Sequence, residues 1–260
     1  MVPGSLDRQD PAFAPMNAST KRVALVTGAN KGLGFHSARQ LAEAGLTVLL
    51  GARDAGRGQE AVAKLVAEGL DVRLLVIDVT SEASIAAAVK QVEQSTGRLD
   101  ILVNNAGVSV SHAAPSQTTV DQMRRTYETN VFGVVAVTNA FLSLLRRSPS
   151  PRIVNVSSGL GSLALMIDRH SPWAAINILA YQSSKTALNA VTVLYARELR
   201  EARFKVNAVN PGWRATDLGG YTEGAGDPAE GARVATRLSL IGDDGPTGEF
   251  HSDDGGTMAW

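Results

Sequence analysis

The sequence predicts an α/β fold in which a doubly wound parallel sheet of about seven strands carries helices on both faces. Three observations indicate this fold. Short β-branched runs alternate with longer helical patterns from Lys21 onward, as in successive βαβ units. Several of these runs are apolar on consecutive residues, which is typical of strands that are buried on both faces. Because no fixed-period repeat and no interdomain linker interrupts the chain, we expect a single domain.

Six strands are predicted from the apolar runs, and five helices lie between them. Ser81 is expected to cap the third helix, while Gly45 and Gly69 stand where helices commonly end. A short seventh strand is expected within residues 248–254, although Gly and Asp there disfavour it. The strands are placed at residues 22–28, 46–51, 72–78, 100–107, 152–158 and 205–212, and the helices at residues 34–45, 57–68, 82–96, 118–146 and 181–202.

Composition excludes several classes of protein and site. The chain has 25 Lys and Arg against 25 Asp and Glu, so no basic face for nucleic acid or an anionic membrane is predicted. It has no cysteine, which excludes disulfides, thiolate catalysis and thiol-ligated metals. The four histidines, His36, His112, His170 and His251, do not have metal-ligand spacing, and no metal site is predicted.

The first 20 residues differ in character from the rest of the chain. They contain neither a charged start nor an apolar run, so they resemble neither a signal peptide nor a mitochondrial presequence. We expect residues 1–20 to be a disordered leader before a domain of residues 21–260, with Met16 an alternative start. Because no segment approaches the roughly 18 uninterrupted apolar residues of a membrane span, we expect a cytoplasmic protein.

The first predicted strand runs directly into the glycine-rich segment "TGANKGLG", residues 27–34. Glycines at positions 28, 32 and 34 would allow a tight turn, close approach of a pyrophosphate to backbone N–H groups, and close packing of helix on strand. Most such turns bind nothing, but this one stands at the first βα junction, which favours a dinucleotide. The Gly-Lys-Ser/Thr ending of an ATP-binding P-loop is missing.

The spacing Gly-x-x-x-Gly-x-Gly, together with "NNAG" (104–107) and "YQSSK" (181–185), resembles the short-chain dehydrogenase/reductase family. "TGANKGLG" with "GARDAGRGQEAV" resembles its carbonyl reductase-like branch. The resemblance implies a seven-stranded Rossmann fold that binds NAD(H) or NADP(H), with Asp78 at the adenine amino group and residues 104–107 beneath the adenosine ribose. Taken alone, Asp78 would be a turn residue and Asn104 part of an ordinary loop. The cofactor-binding residues that the resemblance implies are Gly28, Asn30, Lys31, Gly32, Leu33, Gly34, Arg53, Asp78, Val79, Asn105, Ala106, Gly107, Tyr181, Lys185, Pro211, Gly212 and Thr216.

Charges near the end of the second strand indicate which nicotinamide cofactor binds. An acidic residue there chelates the ribose hydroxyls of NAD, whereas a basic one accommodates the 2′-phosphate of NADP. Here Ala52 takes the acidic position, Arg53 follows it, and Lys31 adds a second cation. These residues predict NADP(H). Asp54 by its spacing alone would serve NAD, but we expect it to face solvent or cap the next helix.

Tyr181 and Lys185 are four residues apart, so both side chains project from one face of a helix. Most pairs of this kind are surface residues. A phenol has an ordinary pKa of about 10, and a neighbouring ammonium would favour its anion. By resemblance, Tyr181 is the general acid and base, Lys185 also holds the nicotinamide ribose, and Ser158 hydrogen-bonds the substrate oxygen. Asn130 would hold a relay water, and Thr216 would contact the carboxamide above the turn of Pro211 and Gly212.

Two irregular stretches depart from the helical and strand patterns. Residues 159–180, between Ser158 and Tyr181, are longer than in most of the family, so they are expected to cover the substrate or to block a dimer face. Carbonyl reductases with such an insert tend to be monomers, whereas the family commonly forms oligomers, and both states stay open. The glycine-rich residues 213–230 are compatible with a lid or with disorder. Apolar residues of the insert are expected either to line a substrate wall or to pack the insert: Met166, Ile167, Trp173 and Ile176.

Together these features predict an NADP-dependent oxidoreductase that reduces a ketone or aldehyde to an alcohol, with Tyr181 as the acid. Two alternatives remain open. One is an NAD-linked alcohol dehydrogenase, and the other is a dinucleotide-sensing module without chemistry, which would be expected to lack Tyr181 or Lys185. A hydrolase is disfavoured because Gly-x-Ser-x-Gly does not occur. The small-molecule substrate is not identified by the sequence.

Overall fold

Seven parallel strands form one sheet in the order β3-β2-β1-β4-β5-β6-β7 in the computed structural model of the chain. The structure describes residues 21–171, 173–219, 221 and 223–260, so the predicted leader lies outside the described residues. The strands are β1 Val23–Val26, β2 Thr47–Ala52, β3 Val72–Val76, β4 Ile101–Asn104, β5 Arg152–Val156, β6 Lys205–Asn210 and β7 Phe250–Ser252. The predicted doubly wound parallel sheet is confirmed, including its seventh strand.

Eight α-helices are described, together with short 3-10 turns and one π-helical turn. They are α1 Gly32–Glu43, α2 Ala55–Ala67, α3 Glu82–Ser95, α4 Val120–Tyr127, α5 Gly133–Leu145, α6 Leu163–Ile167, α7 Leu179–Glu198 and α8 Pro228–Ser239. The hydroxyl of Ser81 accepts a hydrogen bond from the Ser84 N–H at the start of α3, as predicted. Gly45 and Gly69 follow α1 and α2 with φ of +87° and +81°, which glycine adopts without strain.

The strands alternate their side chains between two cores, which explains why they are apolar on consecutive residues. Leu50 and Val103 pack on one face of the sheet with residues of α1, α2 and α8. Leu49 and Leu102 pack on the other face with residues of α3, α5 and α7. The helices therefore cover both faces, and the sheet order reverses between β1 and β4, where ligands bind in folds of this kind.

Several elements differ from the predictions. The single helix predicted at residues 118–146 is divided by a π-helical turn, Glu128–Phe132, between α4 and α5. Helix α8 was not predicted, because its Ala- and Gly-rich first turns obscure its apolar period; the Asp227 carboxylate caps it by accepting from the Ala229 N–H at 2.8 Å. Strands β4, β5 and β6 end at Asn104, Val156 and Asn210, so the site residues predicted at their ends lie in the loops that follow.

One helical stretch, Val120–Leu145, is long and apolar enough to qualify as a membrane span by length and composition, with a mean hydropathy of 1.4. Half of its most apolar window is buried inside the protein. Val137, Phe141 and Leu144 of this stretch belong to the core beneath the sheet. Core packing therefore accounts for its apolar character, and the predicted cytoplasmic location stays a prediction.

Candidate active site

Tyr181 and Lys185 lie on α7 with their side chains buried, so the surface interpretation of this pair is wrong. Their residues are 8% and 4% exposed. The Lys185 Nζ atom lies 5.7 Å from the centroid of the Tyr181 ring and donates a hydrogen bond of 2.8 Å to the Val156 carbonyl at the end of β5. A phenol and an amine thus share one buried site at the carboxyl edge of the sheet.

Burial changes the acidity of both groups in the direction of their neutral forms. It raises the pKa of Tyr181 to about 12, an effect that a hydrogen bond with the Ser158 side chain partly offsets. It lowers the pKa of Lys185 to about 8. The phenol therefore keeps its proton at neutral pH, whereas the lysine can lose its charge at mildly alkaline pH.

The Ser158 side chain interacts with two parts of the site, the turn after β5 and Tyr181. Its hydroxyl oxygen accepts a hydrogen bond of 3.2 Å from the Leu160 N–H and so caps the 3-10 turn Gly159–Gly161. The same side chain is hydrogen-bonded to Tyr181. Gly161 of this turn packs on α7, because a Cβ atom there would lie 2.7 Å from the backbone carbonyl carbon of Lys185. The turn after β5 is therefore held close against the tyrosine and the lysine.

Asn130 lies in the π-helical turn and is fully buried. Its Oδ1 accepts from the Val108 N–H at 2.8 Å, and its Nδ2 donates to the Val108 carbonyl at 2.9 Å and to Ser184 Oγ at 3.0 Å. A Cβ atom at Gly107 would lie 3.5 Å from Asn130 Oδ1 and 3.6 Å from Lys185 Nζ. The structure thus brings Asn130 and Lys185 to the same glycine, and the relay water of Asn130 stays a prediction.

The glycine-rich loop between β1 and α1 packs against the loop after β4. Gly28 and Gly32 have φ of +61° and +56°, which favour glycine. A Cβ atom at Gly28 would lie 2.9 Å from the Ala106 Cα, and one at Gly34 would overlap the Asn105 amide. That amide donates to the Thr27 and Gly28 carbonyls at 2.8 and 3.1 Å. Gly28 and Gly34 are therefore required for the packing of the two loops.

The N-terminus of α1 opens at this loop. Lys31 is its N-cap residue, and within the described part of the chain the Lys31 side chain makes no capping hydrogen bond. The first N–H groups of a helix lack partners inside the helix and carry a partial positive charge, so they suit a phosphate. Asn30, Lys31, Gly32 and Leu33 stand at this end, and the pyrophosphate cradle expected of Gly28, Gly32 and Gly34 stays a prediction.

A groove of about 320 Å³ lies beside this cradle and is bordered mainly by polar and charged side chains. Its lining residues are Asn30, Lys31, Arg57, Glu60, Ala61 and Lys64. Arg57 and Lys64 were not among the predicted site residues, although Arg57 lies four residues after Arg53. Arg53 is exposed after β2, and Asp54 caps α2 by accepting from the Arg57 N–H at 2.9 Å, as expected. The groove is thus lined by two positively charged residues, Arg57 and Lys64, that were not predicted to belong to the site.

Asp78 is used by the turn after β3. Its Oδ1 accepts from the Thr80 N–H at 2.9 Å and from the Thr80 hydroxyl at 2.7 Å. The turn interpretation of Asp78 is confirmed, and its contact with adenine, like that of neighbouring Val79, stays a prediction.

Asn104 lies in the sheet interior, where its amide donates to Thr138 Oγ1 at 3.2 Å and Asn155 Oδ1 at 2.9 Å. It therefore links β4 to β5 and to α5.

The loop after β6 reaches back to the glycine-rich loop. A Cβ atom at Gly32 would lie 3.3 Å from the Thr216 methyl group. The carboxylate of Asp217 forms an ion pair with Lys31 and accepts from the Tyr221 hydroxyl at 2.6 Å. Gly212 after Pro211 has φ of +73°, as a turn there requires. Residues 211–217 therefore lie over the predicted cofactor site, while residues 220 and 222 of the predicted lid lie outside the described residues.

The apolar residues of the insert 159–180 differ in exposure and in packing. Ile167 is 81% exposed and Ile176 is 38% exposed, so neither forms a buried wall. Trp173 instead packs its ring against Gly159. The insert is tied to the end of the chain, because Ser162 Oγ donates to the Ala259 carbonyl at 2.7 Å.

Among the described residues, no group of three His, Cys, Asp or Glu could hold a metal ion.

Comparison with known proteins finds the same fold in named oxidoreductases. The family model described as short chain dehydrogenase matches residues 22–224. "Short-chain dehydrogenase anuI" of Penicillium roqueforti is 40% identical over 233 residues, covering 87% of this chain and 92% of that protein. "Carbonyl reductase [NADPH] 1" of Rattus norvegicus is 34% identical over 274 residues, covering 91% of this chain and 98% of that protein.

A solved structure agrees with the sequence matches. The crystal structure of NADPH-bound carbonyl reductase from chicken fatty liver superimposes with a TM-score of 0.82 at 30% sequence identity, covering 92% of this chain and 99% of that one. The family model, the relatives and the sheet topology agree along nearly the whole described domain. The chain therefore belongs to the short-chain dehydrogenase/reductase family of oxidoreductases.

Proposed function

We propose that the protein is an NADP-dependent reductase that converts a ketone or an aldehyde to an alcohol. The observation that carries the proposal is the cluster of the buried Tyr181 and Lys185 with the partly buried Ser158, which lies at the carboxyl edge of the sheet beside the glycine-rich loop. When bound, the reduced nicotinamide would supply the hydride. Tyr181 would donate its proton to the carbonyl oxygen as the electron pair of the C=O bond moves onto that oxygen, and solvent would restore the proton.

The acidities of the two side chains suit this direction. A phenol with a pKa of about 12 remains protonated at neutral pH and is available as a donor. The Lys185 ammonium is the main form below pH 8, so its charge would stabilise the tyrosinate that forms. Ser158, already hydrogen-bonded to Tyr181, would hold the substrate oxygen beside the phenol. We assign Asn130 to the relay of protons from solvent to Lys185.

The chain also fits the cofactor. The uncapped N-terminus of α1 and the turn at Gly28 would hold the pyrophosphate, and Asn105, Ala106 and Gly107 would lie under the adenosine ribose. We assign Arg53 and Lys31 to the 2′-phosphate, and Arg57 lines the same groove as Lys31. Asp54 is occupied as a helix cap, which disfavours the NAD-linked alternative. Asp78 and Val79 are assigned to adenine, and Pro211, Gly212 and Thr216 to the nicotinamide end.

The function is tested by NADPH oxidation with a panel of ketones and aldehydes. We expect turnover with several carbonyl compounds, and weaker activity with NADH. If cofactor binds tightly but no carbonyl compound is reduced, and no alcohol is oxidised with NADP⁺, the sensing module would be the better interpretation.

Arg53→Ala should weaken NADPH binding by roughly tenfold and leave NADH binding almost unchanged, because only NADPH carries the phosphate that the guanidinium would bind. Fluorescence titration of both cofactors measures the two dissociation constants. Arg233→Ala on α8 is the control, since Arg233 is an exposed arginine that pairs with Glu230. Equal losses for NADPH and NADH, or tighter binding of NADH by the unchanged protein, would contradict the assignment.

Asp217→Asn should tighten NADPH binding by about twofold to fivefold, because Lys31 would no longer have to leave an ion pair to reach the phosphate. Both side chains are more than half exposed, so the effect should shrink as salt is added. The same titration at low and high ionic strength measures it, with NADH as the internal control. Weaker NADPH binding in Asp217→Asn would show instead that the carboxylate positions Lys31 for the phosphate.

A further inference from the structure

The indole ring of Trp173 lies against the backbone of Gly159. A Cβ atom built on Gly159 would overlap the ring atoms Cζ3 and Cη2 and would lie 3.1 Å from Cε3. The six-membered part of the ring thus occupies the space that any other residue at position 159 would fill with its side chain. Gly159 and Trp173 are therefore in close contact across the insert.

This contact is adjacent to the reacting centre. Gly159 directly follows Ser158, whose side chain is hydrogen-bonded to Tyr181. The Gly159 N–H donates to Asn210 Oδ1 at 3.0 Å, which fixes this backbone to the end of β6. The ring is therefore held one residue away from the hydroxyl that would receive the substrate oxygen.

Hydrogen bonds within the insert hold the Trp173 backbone in place. The Trp173 N–H donates to the buried Ser171 hydroxyl at 3.3 Å, and the Trp173 carbonyl accepts from the Ile176 N–H at 2.9 Å. Trp173 is nevertheless only partly buried. A residue that only packs the insert would be expected to be covered, whereas a partly exposed aromatic residue that packs next to a polar centre is available to contact a ligand.

We propose that Trp173 determines substrate specificity by packing against a flat apolar group, such as an aryl or cyclic alkenyl group, carried by the carbonyl carbon of the substrate. The proposal rests on the proposed function and adds the substrate class. Stacked or edge-on contact with the indole would orient that group, while Ser158 and Tyr181 hold the oxygen. A short aliphatic ketone would make the polar contacts and lose the aromatic one.

Trp173→Ala tests this with acetophenone and butanone as substrates of NADPH-dependent reduction. We expect the ratio of kcat/KM for acetophenone to that for butanone to fall by roughly tenfold, mainly through the KM of acetophenone. Trp173→Phe should keep most of the preference, because it retains a flat ring. Leu163→Ala is the control, since Leu163 is in the same insert and is 57% exposed. A ratio that is unchanged in Trp173→Ala would overturn the proposal.

Gly159→Ala provides an independent test from the other side of the contact. Its methyl group should displace the indole and raise the KM of acetophenone, as Trp173→Ala does. In a Trp173→Ala background the same methyl group should have little further effect, so the two changes are not additive. If Gly159→Ala has the same effect in both backgrounds, it acts on Ser158 rather than through the indole, and the proposal fails.

The outcomes separate this proposal from the proposed function. If the unchanged protein reduces neither ketone nor any other carbonyl compound with NADPH, the proposed function fails and the specificity proposal fails with it. If it reduces both ketones, and Trp173→Ala alters the two KM values equally, only the specificity proposal fails.

Discussion

Tyr181→Phe should lower kcat for carbonyl reduction by roughly 10²-fold to 10⁴-fold and leave NADPH binding almost unchanged. The change removes the hydroxyl that would protonate the substrate oxygen, while the ring that packs beside Lys185 remains. Steady-state rates and a fluorescence titration measure the two effects. Because a phenol with a pKa of about 12 stays protonated up to alkaline pH, the unchanged enzyme should not lose reductase activity through this group between pH 6 and 9.

Tyr195→Phe is the matched control for this change. Tyr195 lies on the same helix about four turns from Tyr181, is partly buried, and donates from its hydroxyl to Asn139 Oδ1 at 2.7 Å. We expect its kcat to equal that of the unchanged protein. If Tyr181→Phe turned over every substrate at the normal rate, another group would have to be the acid and the proposed mechanism would be wrong.

Several strands could be predicted from the sequence because burial on both faces makes them apolar on consecutive residues. Helix α8 could not, since its buried face contains Gly231, Ala232 and Ala235 beside only two larger apolar residues. Its position is decided by tertiary contact with α1 on the face of the sheet that Leu50 and Val103 share. The π-helical turn at Asn130 was likewise invisible, because its sequence continues a helical pattern without a Gly or Pro until Gly133.

The structure brings the predicted catalytic residues Tyr181, Lys185 and Ser158 together, but the sequence did not predict their environment. The buried face of α7 is rich in polar residues, among them Gln182, Ser184 and Asn189, so its pattern does not distinguish it from an exposed face. The buried face can be polar because the backbone of the turn at Gly161, rather than an apolar side chain, covers α7 at Lys185. The ion pair of Lys31 with Asp217 joins loops 186 residues apart, and no local pattern predicts it.

Burial of Lys185 has a consequence for stability as well as for catalysis. The pKa of this amine falls from 10.5 in the unfolded chain to about 8 in the folded protein. Between pH 8 and 10.5 the unfolded chain therefore binds more protons at this position than the folded protein, so rising pH favours folding. Below pH 8 the folded protein carries a buried ammonium, and its desolvation lowers the free energy of unfolding by roughly 3 kcal/mol.

Lys185→Met should reduce kcat/KM by roughly 10²-fold to 10³-fold, because no positive charge would remain to stabilise the tyrosinate. It should also remove the pH dependence described above, so the unchanged protein gains stability relative to the variant by up to roughly 3 kcal/mol between pH 7 and 10. Urea denaturation at several pH values measures this difference.

The change also leaves the Val156 carbonyl without its 2.8 Å partner, a loss that is constant with pH and so does not alter the slope. Lys90→Met on α3, where the lysine is exposed, should give a curve parallel to that of the unchanged protein. Parallel curves for Lys185→Met as well would contradict the lowered pKa of Lys185, whereas an unchanged kcat/KM would contradict the part assigned to its charge in catalysis.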